Sequence, residues 1–220
     1  MLILTGMPRS CTTTMMAYLQ MMSGEHIAGL QHSKIDLRLQ GRRSYVRGCE
    51  CTDVNRHCEK FHSGEIKKTE FMKFAEDYWF STIKYPQFAT GGFSEAFESW
   101  VEQRPETEVL LMHRNAEEVV DSMERHDMNS IGKGFSESVS ILKDRYENFK
   151  STIESLGIPN IELKHDDFLE DPADTIEKLR SLSKLKLIPY QNAIQFYGAN
   201  GDSPESVWND WFDKSKVFKK

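Results

Sequence analysis

The chain has 220 residues, is 39% hydrophobic, and carries 28 Lys and Arg against 34 Asp and Glu, a formal net charge of −6. A chain of that size and composition can bury one good core and is expected to form a single domain, and its acidic balance argues against a nucleic-acid partner. No apolar run approaches membrane-spanning length and no export signal precedes the first strand, so four cysteines read as thiols and a cytoplasmic location without membrane contact is expected.

The first predicted element is a strand at Leu2–Thr5, which runs into the turn Gly6-Met7-Pro8-Arg9-Ser10. A hydroxyl-rich helix start follows at Thr12, Thr13 and Thr14, and the helix is predicted to reach Met22. Strand, tight turn and helix make a backbone cradle for an anion, because the first N–H groups of a helix have no partner inside it. The helix dipole adds partial positive charge, and Arg9 adds a full one with a fork suited to phosphate or sulfate oxygens. The nucleotide-triphosphatase pattern GxxxxGK[ST] places Lys on the β- and γ-phosphates and Ser or Thr on magnesium. Here Cys11 stands for its second glycine and Thr12 for its lysine, so the usual means of activating a γ-phosphate is missing. Such a loop holds a multiply charged group without a magnesium–triphosphate unit. If the backbone at Cys11 needs positive φ, a Cys strains it; at a plain helix start it is harmless, with a thiol of lowered pKa.

A weaker strand is predicted near His26–Leu30, and residues 31–68 are polar without clear periodicity. Lys34, Arg38, Arg42, Arg43 and Arg47, spaced about four apart, form either a solvated helical face or an attractor for an anionic acceptor. Cys49, Cys51, His57 and Cys58 are candidate zinc ligands, though without the usual C-x-x-C spacing; the alternative is free buried thiols. A helix is predicted over Thr69–Trp79, and Phe71, Phe74, Tyr78, Trp79 and Phe80 at helical spacing read as core. A strand at Ser81–Lys84 and a helix at Phe93–Gln103 come next.

A strand is predicted at Val109–His113, where Val109–Met112 is a continuous apolar run of the kind a strand covered on both faces shows. It ends at Arg114. Asn115, with Glu118 three residues later, is a capping pattern for a helix over Ala116–Arg125, and Ser122 lies two turns along the face of Asn115. The remaining predictions are a helix at Ser136–Leu156, a strand at Ile161–Lys164, and a helix at Pro172–Ser183 opened by Asp171-Pro172. This βα alternation implies an α/β fold, helices flanking a mostly parallel central sheet in three layers. Arg114 then stands at the carboxyl end of a strand, where open α/β sheets take their ligands.

PRSCTTT resembles the 5′-phosphosulfate loop of sulfotransferases, usually PRSGTT or PKSGTT. VLLMHRNAEEVVDSM resembles that family's 3′-phosphate element, with Ser eight residues after the Arg; IELKHDDFLEDP resembles its YEDL-x-x-DP segment, and STIKYP its strand ending in Lys-x-Pro. The matches occur in the family's order over residues 1 to about 190 and are closer to the bacterial, Golgi and tyrosylprotein types than to the cytosolic type. The C-terminal Arg-Lys-Gly element of the cytosolic type is absent, and GANGDSPESVWNDWF resembles only its tail.

The resemblance implies a P-loop sulfotransferase-like domain over residues 1–220. Its donor is 3′-phosphoadenosine 5′-phosphosulfate, it needs no metal, and its acceptor is a hydroxyl or amine of a small molecule or glycan. Pro8, Arg9, Ser10, Cys11, Thr12, Thr13 and Thr14 would hold the 5′ end, and Arg114 and Ser122 the 3′-phosphate. Lys84 and Arg9 would sit near the transferred group. His165 stands at a position near the adenine, where the family often has Tyr; the alternative is a surface imidazole. Residues 31–68 would shape the acceptor site. For the general base, Glu25, His26, His32 and Asp36 follow the first helix; His32 is the leading candidate and Glu25 the second, since the glutamate of tyrosylprotein-type relatives is absent. Two other functions fit parts of the pattern. A small-molecule kinase would need the missing lysine and has no purpose for the Arg114/Ser122 pair; a non-catalytic nucleotide-binding module would keep both pockets.

Overall fold

The computed structural model describes residues 1–10, 12, 15, 19, 52–78, 82–125, 131, 134–179 and 182. Four strands lie in one sheet: β1 (Leu2–Gly6), β2 (Thr82–Lys84), β3 (Glu108–His113) and β4 (Asn160–Lys164). Their order is β2-β1-β3-β4 and every pairing is parallel. The helices are α1 (Thr52–His62), α2 (Lys68–Asp77), α3 (Gln87–Thr90), α4 (Ser94–Gln103), α5 (Ala116–Arg125), α6 (Phe135–Ser155), α7 (His165–Glu170) and α8 (Pro172–Lys178). Thr12, Met15 and Leu19 are also helical and buried, as expected of one face of the helix after the first turn. The α/β class and the parallel sheet flanked by helices are therefore as the pattern predicts. The strand predicted near His26–Leu30 and the basic run Lys34–Arg47 lie outside the described residues.

β1 lies between β2 and β3, and its apolar run follows from that position: Leu2, Ile3 and Leu4 are all fully buried. Alternation along the strands turns Ile3, Ile83, Val109 and Leu111 into a core shared with Phe71, Phe97, Trp100, Val119, Tyr146 and Phe149. Leu2, Leu4, Leu110 and Met112 take the opposite face and are equally buried. Each buried large apolar side chain stabilises the fold by about 1.5–3 kcal/mol relative to leaving it in water. Only Leu163 of β4 is buried, in keeping with its place at the end of the described sheet.

Phe71 and Tyr78 are core residues as expected, and Phe74 packs partly buried against them; Trp79 and Phe80 lie outside the described residues. Trp100 meets Phe71 and Tyr78 edge-on, with ring centres 6.3 and 5.5 Å away, and its indole N–H donates to the Met1 sulfur at 3.3 Å.

The tract read as aperiodic over 31–68 contains helix α1. Its apolar stripe is short, Val54, Cys58 and Phe61, so the periodicity is weak in sequence. Tertiary contacts supply the rest: Tyr85 Oη donates to Asn55 Oδ1 at 3.0 Å, and the His57 ring stacks on Phe74 at 3.6 Å. The short helices α3 and α7 are likewise additions to the expected elements. At the start of α8, Asp171 Oδ1 accepts from the Asp174 N–H at 3.0 Å, the N-cap that the Asp-Pro pair announces.

Candidate anion-binding site

The strand order fixes where a ligand sits. From β1 the chain moves to β2 on one side, then crosses back to place β3 on the other. The crevice outside the carboxyl ends of β1 and β3 is the switch point of the sheet. Both anion motifs open there, the Gly6–Ser10 turn after β1 and Arg114 after β3. Gly6 pairs with Met112, and the Met7 N–H donates to the Met112 carbonyl at 3.0 Å, so the two exits are held together. Gly6 has φ +139°, and a Cβ there would lie 2.1 Å from the Met112 oxygen. No other residue fits that contact.

Within the turn, the buried Ser10 hydroxyl donates to the Met7 carbonyl, so its proton is committed to shaping the loop. The residue with positive φ is Arg9, at +59°, alone in this among the described non-glycine residues. Cys11, Thr13 and Thr14 lie outside the described residues. The Arg9 carbonyl accepts from Arg114 Nη1 at 2.9 Å, and Arg9 Nε donates to Ser122 Oγ at 3.2 Å. These partners are 105 and 113 positions away in the chain. The structure therefore brings Arg9, Arg114 and Ser122 into one cluster, joining groups that the sequence reading assigned to opposite ends of a ligand.

Arg114 is 16% exposed and its Nε donates to Glu118 Oε2 at 3.0 Å. The capping pattern is realised in part. Asn115 Oδ1 accepts from the Glu117 N–H at 2.8 Å, while Glu118 turns to Arg114 and leaves the helix start. A charge-assisted bond to a guanidinium outcompetes a neutral backbone donor. Two guanidinium groups and one hydroxyl thus lie in one cluster, of which only Arg114 is matched by a carboxylate, that of the half-exposed Glu118; such a donor set fits a doubly charged phosphate or sulfate group.

Lys84 ends β2 with Leu4 of β1 as its register partner and is 3% exposed. Thr12 is buried at the helix start, and Pro8 is partly exposed. Glu25, His26, His32 and Asp36 lie outside the described residues. His165 is not a surface imidazole: it is 3% exposed, at the start of α7 and directly after β4. Burial lowers its pKa, the Asp166 carboxylate at 2.8 Å opposes this, and the nearby Arg114 charge lowers it further.

One polar cluster beside the site was missed in sequence. Tyr146 Oη donates to Glu162 Oε1, and Lys150 Nζ to Glu162 Oε2, each at 2.9 Å; the His113 ring lies 5.2 Å from that of Tyr146. Burial pushes the Glu162 carboxyl up, but the hydrogen bonds from Lys150 and Tyr146 more than reverse this, leaving it below the usual carboxylate range. Burial, reinforced by Glu162, holds the Tyr146 phenol well above its ordinary value. Its available signal was His113 directly before Arg114, facing a strand with a central Glu.

Among the described residues, no group of three or more His, Cys, Asp or Glu is placed to hold a metal ion. Of the zinc candidates, Cys58 is buried in the core and His57 stacks on Phe74, while Cys49 and Cys51 lie outside the described residues. Among the described residues, no helix is long and apolar enough to cross a membrane.

No family model matches the sequence, and no curated protein matches it either. Among solved structures, the chain is similar to the sulfotransferase domain from the curacin biosynthetic pathway. The fold is sulfotransferase-like. The superposition covers 88% of this chain and 76% of that one, at a TM-score of 0.52 and 12% sequence identity. At that identity the likeness is one of fold, and the activity has to be argued from the residues.

Proposed function

We propose that the chain is a sulfotransferase that binds 3′-phosphoadenosine 5′-phosphosulfate and transfers its sulfuryl group to a hydroxyl or amine of an acceptor. The observation that carries this reading is the meeting of Arg9, Arg114 and Ser122 at the carboxyl ends of β1 and β3. A donor with phosphate on both the 3′ and the 5′ oxygen of one nucleoside needs cations from two chain exits in one crevice, and Arg9 after β1 and Arg114 after β3 are such a pair. The sulfotransferase-like fold supports the same reading.

In this scheme Arg114 and Ser122 hold the 3′-phosphate and so fix the register of the donor. Thr12, Thr13, Thr14 and the loop N–H groups take the 5′-phosphate. In the transfer, the acceptor oxygen or nitrogen forms a bond to sulfur as the bridging S–O bond to the 5′-phosphate breaks. The acceptor proton goes to a base, with His32 as first candidate and Glu25 as second, and 3′-phosphoadenosine 5′-phosphate leaves. Negative charge grows on the bridging oxygen, where Arg9 and Lys84 neutralise it. The acceptor is a small molecule or glycan, and every phosphate contact comes from protein donors, with no metal in the scheme.

Calorimetry with adenosine 3′,5′-bisphosphate beside adenosine 5′-phosphate tests the binding half. At least a tenfold preference for the bisphosphate is expected; equal affinity would sink the reading. Transfer of labelled sulfate to a panel of acceptors tests the chemistry and separates an enzyme from an inert nucleotide-binding module.

A further inference from the structure

We infer that Arg114, besides reading the 3′-phosphate, positions the phosphate loop at the other end of the donor, so that the two anion pockets act as one coupled unit. This rests on the proposed function. Arg9 adopts φ +59°, a conformation that costs an L-residue other than glycine energy equal to roughly a tenfold factor in equilibrium. The bond from Arg114 Nη1 to the carbonyl of that same residue, at 2.9 Å, holds it there. A second link runs the opposite way, from Arg9 Nε to Ser122 Oγ. The turn and the β3–α5 junction are therefore tied by reciprocal bonds.

Donor counting shows that Arg114 can do both jobs at once. A guanidinium has five N–H donors. Nε–H serves Glu118 and one Nη1 hydrogen serves the Arg9 carbonyl, leaving three for a phosphate. Glu118 fixes the plane of the fork, so an incoming 3′-phosphate would meet a guanidinium already aligned on the loop. Lysine in the same place has the charge but no planar fork with which to hold Glu118, the Arg9 carbonyl and a phosphate together.

The distinguishing ligand is adenosine 5′-phosphosulfate, which has the loop's anion and no 3′-phosphate. Arg114→Gln and Arg114→Lys should each weaken its binding by roughly tenfold, through the turn alone. Position 9 supplies the control. Arg9→Ala and Arg9→Gly both remove the cation, but only glycine adopts positive φ without strain. Introducing Arg114→Gln should cost roughly tenfold on the Arg9→Ala background and less than about twofold on Arg9→Gly. Thermal melts of each variant confirm that the fold survives. Unchanged 5′-phosphosulfate affinity in Arg114→Gln, or an equal loss on the Ala and Gly backgrounds, would overturn the positioning role. A wild-type protein with no preference for adenosine 3′,5′-bisphosphate over adenosine 5′-phosphate would overturn the proposed function itself, which keeps the two failures apart.

Discussion

Replacing Gly6 with alanine tests how closely β1 and β3 are pressed together beneath the site. The added Cβ would lie 2.1 Å from the Met112 oxygen, 2.7 Å from its nitrogen and 2.8 Å from its carbonyl carbon. These are backbone atoms of the neighbouring strand, so no flexible side chain can yield, and the strands must part at their carboxyl ends. Three terms add. Forcing a residue with a Cβ into positive φ costs about 1–2 kcal/mol, overpacking costs about 1–3 kcal/mol, and loss of the Met7–Met112 hydrogen bond costs about 1 kcal/mol. The sum, about 3–6 kcal/mol, is a large share of the stability of an ordinary domain. Gly64 is the matched control: its φ is +75°, yet a Cβ there meets nothing within 4 Å. Gly64→Ala should therefore cost only the conformational term, about 1–2 kcal/mol. Thermal melting should show a fall on the order of 10 °C or more for Gly6→Ala, against a few degrees for Gly64→Ala. Adenosine 3′,5′-bisphosphate binding should weaken in the first variant alone, because parting the strands moves Arg9 away from Arg114. If the two variants melt together, the close approach of β1 and β3 is not what demands glycine at position 6.

Further outcomes follow from the buried groups and from the proposed base. Neutral His165 is favoured in the fold, so the stability that depends on it is full above the unfolded value near 6.5 and is lost as pH falls through the lowered folded value. His165→Gln should flatten that acid slope in urea titrations run from pH 7 downward, at a cost of about 1 kcal/mol at neutral pH. Glu162 has the usual carboxylate sign: its contribution is present above the unfolded pKa and lost as pH falls through the depressed folded one. Tyr146→Phe removes one of its donors, and should cost about 1 kcal/mol at pH 7 and less at pH 3, as read by the same titrations. His32→Ala should abolish sulfate transfer while leaving adenosine 3′,5′-bisphosphate binding intact; unchanged turnover would pass the base role to Glu25.

The strands and the α5 helix were legible because their signals are local. Val109–Met112 is an uninterrupted apolar run, and Val119, Val120 and Met123 repeat at helical spacing, so both elements appear where the pattern puts them. Helix α1 was not legible because its stabilising contacts are distant: Asn55 is matched to Tyr85 and His57 to Phe74, pairs that only the fold assembles. The same holds at the site. Residue types made Arg9, Arg114 and Ser122 candidate anion ligands, but spacing could not tell that they would bond to one another. The pattern of glycine loops points to Cys11 for positive φ; among the described residues it falls on Arg9, whose carbonyl accepts from Arg114. The polar segment around His165 made a surface imidazole a natural alternative, yet the ring is buried at the start of α7.

What converts two motifs about a hundred residues apart into one site is the register of a single strand pair. Gly6 faces Met112, so Arg9 lies three residues beyond the paired position on one chain exit and Arg114 two beyond it on the other. Parallel strands leave their sheet at the same end, which puts both arginines in one crevice whatever the length of chain between them. A slip of one residue in that pairing would move Arg114 by about 3.3 Å along the strand and turn it to the other face of the sheet. The 2.9 Å bond to the Arg9 carbonyl would then be out of reach. The glycine at position 6 guards this register, since it alone lets the strands meet closely enough for the Met7–Met112 bond to form beyond the last pair. The anion recognition proposed for this site would thus be a consequence of sheet geometry first and of arginine chemistry second.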